Sequence, residues 1–220
     1  MISAPFVCSS VWVSAEDFHP LQGRYNVRMA ELSIEQWAAA NLTDALITDP
    51  FYAAITLDSI DPREALLQYF DYSLREGYEI GAVQIDPHGA AIWTLPHSIE
   101  VAQVAQAAKH AALRAVLGAR GFEVYRSIID FMELTAHSIV PEGSWYLSIL
   151  GVSPAQQGRG LGRALLEPTL HQADAAHVSC YLETYNAASL RFYDRLGFKP
   201  VADHLEPTTQ ARYWIMVREP

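Results

Sequence analysis

The chain has 220 residues, 50% of them apolar and 18% charged, with a formal net charge of −10. That balance belongs to a globular protein and excludes a disordered one; the acidic excess also excludes an extended nucleic-acid face, which needs a basic surface. No apolar run approaches the length of a membrane span, so no membrane partner is expected, while the negative charge suits a cationic small substrate.

The opening stretch MISAPFVCSSVWVSAEDF has no Lys or Arg and no sustained apolar core, so it does not read as a secretory leader. The two cysteines, Cys8 and Cys180, are too few for a disulfide framework, and free thiols in a cytoplasmic protein are the expectation. Residues 1–24 read as an N-terminal extension and 25–220 as one domain, since neither a repeat nor a linker divides the chain. Phe6, Val11, Trp12 and Phe18 in that extension suit a sheet edge or a homodimer interface as well as a loose tail.

Residues 25–32 alternate as a first strand would. Residues 33–47 carry Ile34, Trp37, Leu42 and Leu46 at helical spacing, with Ser33 as cap and Asp49-Pro50 as the stop. A second helix is predicted over 61–77, with Pro62 in its first turn and Gly77 past its end. Residues 79–86 and 89–95 form two short strands around Pro87-His88, an antiparallel hairpin. Ser98 caps a helix over 99–117 that Gly118 ends, and another follows over 122–138. Residues 144–152 (SWYLSILGV) are nearly all apolar, as in a strand buried on both faces. A helix over 160–176 contains Pro168, which removes one backbone donor and predicts a kink. A strand at 178–184, a short helix at 187–196 and two closing strands complete the chain. The order describes an α+β (mixed α/β) sandwich and not a doubly wound sheet.

The stretch QQGRGLGRALL begins at Gln156, directly after the apolar strand. Its glycines let backbone N–H groups turn inward as an anion nest, and the helix that follows adds its positive end. A dinucleotide fingerprint would need glycine where Arg163 stands, and no Gly-Lys-Ser/Thr triplet of a phosphate-binding P-loop occurs. Downstream, Asn186 precedes Tyr193 by seven residues, and Gly197-Phe198 follow it. That spacing, close to two helical turns, predicts Asn186 and Tyr193 on one side of the short helix.

Gln157-Gly158-Arg159-Gly160-Leu161-Gly162 resembles the pyrophosphate loop of the Gcn5-related N-acetyltransferase (GNAT) superfamily, and LETYNAASLRFYDRLGF resembles its later motif. Together with AAIWTLPHSIE, CYLET and YWIMVREP, these segments are similar to the puromycin N-acetyltransferase type, most strongly after Trp145 and patchily over 97–140. The resemblance implies a central mixed, largely antiparallel sheet flanked by helices, and acetyl transfer from acetyl-CoA to an amine in a ternary complex. It implies that Leu150, Gly151 and Val152 face the pantetheine arm. The loop residues Gln157, Gly158, Arg159, Gly160, Leu161 and Gly162, with Arg163 beside them, are then expected at the pyrophosphate.

A backbone N–H near Leu150 becomes the oxyanion donor. Tyr193 is the expected general acid, since a phenol near pKa 10 matches a departing alkyl thiolate; a core-packing role competes. Glu183, near the end of its strand, is the best carboxylate for the base, against a role in capping the next helix. His137 is the second choice, but it reads more readily as the end of a surface helix, and relatives of this type carry a His where Ser144 stands. Asn186 is assigned to pantetheine ahead of helix capping. No His/Cys cluster has metal-ligand spacing, so no metal is expected. The acceptor is expected to be a small-molecule amine; a peptide or protein amine, or a non-catalytic acetyl-CoA sensor, are the rivals.

Overall fold

The computed structural model describes residues 33–220, so the predicted extension and the strand over 25–32 lie outside the described residues. The first helix, α1 (Ile34–Leu46), starts at Ser33, whose hydroxyl accepts the Gln36 N–H while the Gln36 side chain accepts the Ser33 N–H. Asp49 does more than stop it. Its carboxylate accepts the Phe51 N–H and opens a short helix, α2 (Pro50–Ile55). Asp61 similarly caps α3 (Pro62–Ile80), accepting from Arg63 and Glu64.

The hairpin is present as β1 (Gly81–Asp86) and β2 (Gly89–Thr94). The two helices expected on either side of Gly118 form one kinked element, α4 (Ile99–Ala136). Gly118 sits at φ 70°, ψ 178° and breaks the helical geometry, but helix resumes at once beyond it. Then follow β3 (Trp145–Val152), α5 (Leu161–Ala176), β4 (Cys180–Thr184), α6 (Leu190–Asp194), β5 (Lys199–Glu206) and β6 (Ala211–Arg218). Helix α5 continues through Pro168.

The strands form one sheet in the order β1-β2-β3-β4-β6-β5, in which β3 and β4 alone run parallel. The expected largely antiparallel sheet with flanking helices is present. Side chains alternate across it. Ala90, Ile92, Ile149, Tyr213 and Ile215 pack against α1 to α4 on one face. Ala91, Trp93, Leu147, Leu182 and Met216 meet Leu165, Leu166 and Leu170 of α5 on the other. Arg218 locks the second layer: its guanidinium grips Asp174 of α5 with bonds of 2.5 and 2.8 Å and donates to the Leu196 carbonyl at 3.0 Å.

Gly77 corrects the sequence reading. It lies inside α3, which runs on to Ile80, because the helix presses directly onto the hairpin there. A Cβ on Gly77 would stand 2.6 Å from Val83 Cγ2 and 2.8 Å from Ile92 Cγ2. Both neighbours are β-branched and cannot swing aside freely. Helix propensity alone makes Gly77→Ala stabilising by about 1 kcal/mol. The clash reverses the sign, and a net loss of about 1–2 kcal/mol is expected from the urea unfolding midpoint; an unchanged or raised midpoint would show that α3 can lift off the hairpin.

Candidate active site

The site is built on an interruption in the sheet. Strands β3 and β4 pair only from Trp145–Leu147 to Cys180–Leu182. Beyond Leu147, β3 keeps its ladder to β2, and beyond Leu182, β4 keeps its ladder to β6. The two therefore part, and Ser148–Val152 have no strand partner on the β4 side. Ser148 sits where the β2–β3 register slips, with Ile92 opposite Ile149 and Trp93 opposite Leu147. Its hydroxyl donates to the Ile92 carbonyl at 2.9 Å and holds that bulge in place.

A cavity of about 160 Å³ opens at this split. Leu150, Glu183 and Tyr193 line it together, so three of the residues picked from the sequence converge. Tyr146 donates its hydroxyl to Glu183 Oε2 at 3.1 Å, and its ring stacks on Tyr181 at 4.6 Å. Glu183 Oε1 is buried without a partner. Burial pushes the carboxyl up to about 7, against a smaller lowering by the Tyr146 bond. Tyr193 projects from α6 and is nearly buried between Phe192 and Phe198. Burial, and then the charge of Asp49, hold its phenol above its usual range, so it stays protonated. The catalytic and core-packing roles foreseen for Tyr193 are thus compatible: its ring fills the core while it also lines the cavity.

The glycine loop lies at the end of β3. Gly158 and Gly160 take φ of 78° and 85°, the left-handed conformation that a side chain would oppose. Gly160 is the N-cap of α5 and offers no side-chain cap, which leaves first-turn N–H groups, those of Leu161, Gly162 and Arg163, available to an anion. Gln157 turns inward, donating to the Val152 carbonyl at 3.0 Å and fixing the loop to the strand. Arg163 is tied to Glu167 of its own helix at 2.6 Å, and Arg159 is exposed. The loop, with the unpaired edge Ser148–Val152, fits an extended ligand ending in a pyrophosphate.

One expectation changes. Asn186 and Tyr193 do not share two turns of one helix, because a 3₁₀ turn (Ala187–Ser189) precedes α6. Asn186 Oδ1 caps that turn by accepting the Ala188 N–H at 3.0 Å. His137 ends a surface helix as expected: it is the exposed C-cap of α4 and is absent from the cavity, where no histidine is found among the described residues. No metal-binding cluster occurs among the described residues. Sequence reasoning missed Asp49, Glu76 and Lys109, which also line the cavity. Asp49-Pro50-Phe51 was a signal that could have been followed. Glu76 and Lys109 stand 33 positions apart and meet only through folding.

Residues 102–198 match the family model described as the Acetyltransferase (GNAT) family. A mycothiol acetyltransferase of Gordonia bronchialis is 51% identical over 53 residues, 23% of this chain and 17% of that protein. The chain therefore spans less than a fifth of the length of that relative. An uncharacterized N-acetyltransferase of Schizosaccharomyces pombe is 26% identical over 170 residues, 73% of this chain and 69% of that one. Among solved structures, the histone acetyltransferase HPA2 and related acetyltransferase of Corynebacterium glutamicum shares the fold with a TM-score of 0.58 at 21% identity, covering 83% of this chain and 89% of that one. The fold is thus shared with a solved acetyltransferase structure. The segment 102–198 carries the GNAT acetyltransferase pattern.

Two measurements probe the site. With its carboxyl raised from 4.5 to about 7 on folding, Glu183 retains a proton in the folded state that the unfolded chain has released. Stability must fall as pH rises through that window. The urea midpoint is expected to drop between about pH 5 and 8, and Glu183→Gln should flatten the drop; an equal slope in the variant would remove Glu183 as its source. Second, Gly160→Glu should weaken acetyl-CoA binding well beyond Gly160→Ala, which adds the backbone strain without the charge. Equal titration curves for the two variants would mean that the loop holds no anion.

Proposed function

We propose that the protein is an N-acetyltransferase that passes an acetyl group from acetyl-CoA directly to the primary amine of a small molecule. One observation carries this reading: the buried, unpartnered Oε1 of Glu183 and the phenol of Tyr193 share a single cavity at the split between β3 and β4. A base and an acid at opposite ends of one reaction are what amide formation from a thioester requires.

In this scheme the unpaired backbone of Ser148–Val152 holds the pantetheine arm, and the N–H groups after Gly160 hold the pyrophosphate. Glu183, raised to about 7, removes a proton from the incoming ammonium, directly or through water. The freed amine attacks the thioester carbonyl, and a backbone N–H near Leu150 steadies the oxyanion. As the tetrahedral centre collapses, the carbon–sulfur bond breaks, Tyr193 gives its proton to the thiolate, and the nitrogen passes its second proton to the resulting phenolate. Glu183 releases its proton to solvent, and both groups are then restored.

The small volume of the cavity, about 160 Å³, supports a small acceptor over a peptide, which needs a longer groove. Presence of both Glu183 and Tyr193 supports an enzyme over a sensor. Puromycin is not taken as the acceptor: α3 and α4 supply part of the lining, and the puromycin-type likeness is patchy through α4.

Thiol release from acetyl-CoA across a panel of amines tests the reading; tight acetyl-CoA binding without turnover of any amine would favour the sensor. Tyr193→Phe is expected to retain acetyl-CoA affinity and lose about tenfold or more in kcat, and Glu183→Gln to lose about 100-fold. The wild-type kcat/KM should rise with pH through an apparent pKa near 7 as Glu183 ionises. A Glu183→Gln profile with the same inflection would assign the base elsewhere.

A further inference from the structure

The cavity contains more negative charge than the proposed chemistry uses. Three carboxylates line it: Asp49, Glu76 and Glu183. Glu183 is assigned to the base. Glu76 is neutralised by Lys109, whose Nζ lies 2.7 Å from Oε2. Asp49 has no cationic partner among the described residues; Oδ1 accepts the Phe51 N–H at 2.9 Å, and no positive group contributes to its environment.

A carboxylate largely withdrawn from water and lacking a counter-charge is costly, and the cost is relieved when a cation arrives. The surroundings of Asp49 favour such a visitor. Tyr52, Tyr185 and Tyr193 line the same cavity as Asp49, and its charge helps hold their phenols above the usual range. Tyrosine rings attract cations through their faces, and more so when water is excluded. The nitrogen that reacts cannot be this cation, because Glu183 must strip it to a neutral amine before attack. Asp49 therefore has work for a different nitrogen on the same molecule, one that stays protonated.

We propose that Asp49, among these tyrosine rings, holds a second cationic nitrogen of the acceptor, so that the enzyme takes a diamine in preference to a monoamine. This rests on the N-acetyltransferase reading. One nitrogen is acetylated; the other is only bound. Lys109, already spent on Glu76, leaves Asp49 as the unmatched charge that selects for it.

Asp49→Asn is the informative variant, because asparagine caps α2 as well as aspartate does and removes only the charge. The readout is the preference for diaminobutane over butylamine, as the ratio of kcat/KM values. It should fall about tenfold or more in Asp49→Asn, through KM, and be largely retained in Asp49→Glu. An unchanged ratio, or loss of kcat with both amines alike, overturns the proposal; the second result would make Asp49 part of the proton relay. Calorimetry of diaminobutane binding to the CoA-bound protein needs no turnover. Binding that weakens about tenfold in Asp49→Asn, without thiol release in the wild type, supports this site and sinks the transferase reading. Amine turnover with an unaltered preference does the reverse.

Discussion

The fold turns on a ladder that stops. Strand β3 is paired along its length with β2, and β4 with β6, yet the two share only the register Trp145–Leu147 with Cys180–Leu182. Backbone donors and acceptors withdrawn from water need partners, and past Leu147 the sheet supplies none on that side. An extended ligand can complete what the missing strand does not. The same parting places Glu183, at the end of β4, across open space from Leu150 on β3, so the binding edge and the chemical groups share one cause.

The helices convert that gap into a closed site. On one face, α1 to α4 pack over the sheet and contribute Asp49, Glu76 and Lys109 to the cavity. On the other, α5 carries the glycine loop at its N-terminus while α6 sets Tyr193 against Phe198. Arg218 grips both α5 and the segment after α6, so the helix behind the glycine loop and the segment behind Tyr193 are fixed to a common strand. Rigidity of this kind matters, because an acid and a base contribute only when held within hydrogen-bond reach of the atoms they serve.

Electrostatics in the cavity follow from burial more than from pairing. Desolvation is the largest cause of the raised values at Glu183, Asp49 and Tyr193 alike. One physical effect thereby makes a carboxylate basic near neutrality, keeps a phenol protonated, and leaves a second carboxylate in want of a cation. A more open cleft would return all three toward their solution behaviour.

Local chemistry in the sequence was enough to place most elements: Ser33 and Asp61 announced their helices, the hairpin showed in its alternation, and Gly158 and Gly160 marked the nest. Those features depend on neighbours within a few positions, and the family motifs at Gln157–Gly162 and Tyr193 are of the same local kind. Gly77 was misjudged because its role is a contact with Val83 and Ile92 and not a helix end. The placing of Asn186 and Tyr193 on one two-turn helix was misjudged because the backbone tightens into a 3₁₀ turn before α6, which Asn186 caps. The sequence by itself determined the family likeness and the place of the glycine loop after β3. Only the tertiary structure decided that Glu183 is desolvated with one oxygen free, that Glu76 is spent on Lys109, and that Asp49 is left over. Desolvation and charge pairing are sums over groups remote in the chain, and no local pattern encodes them.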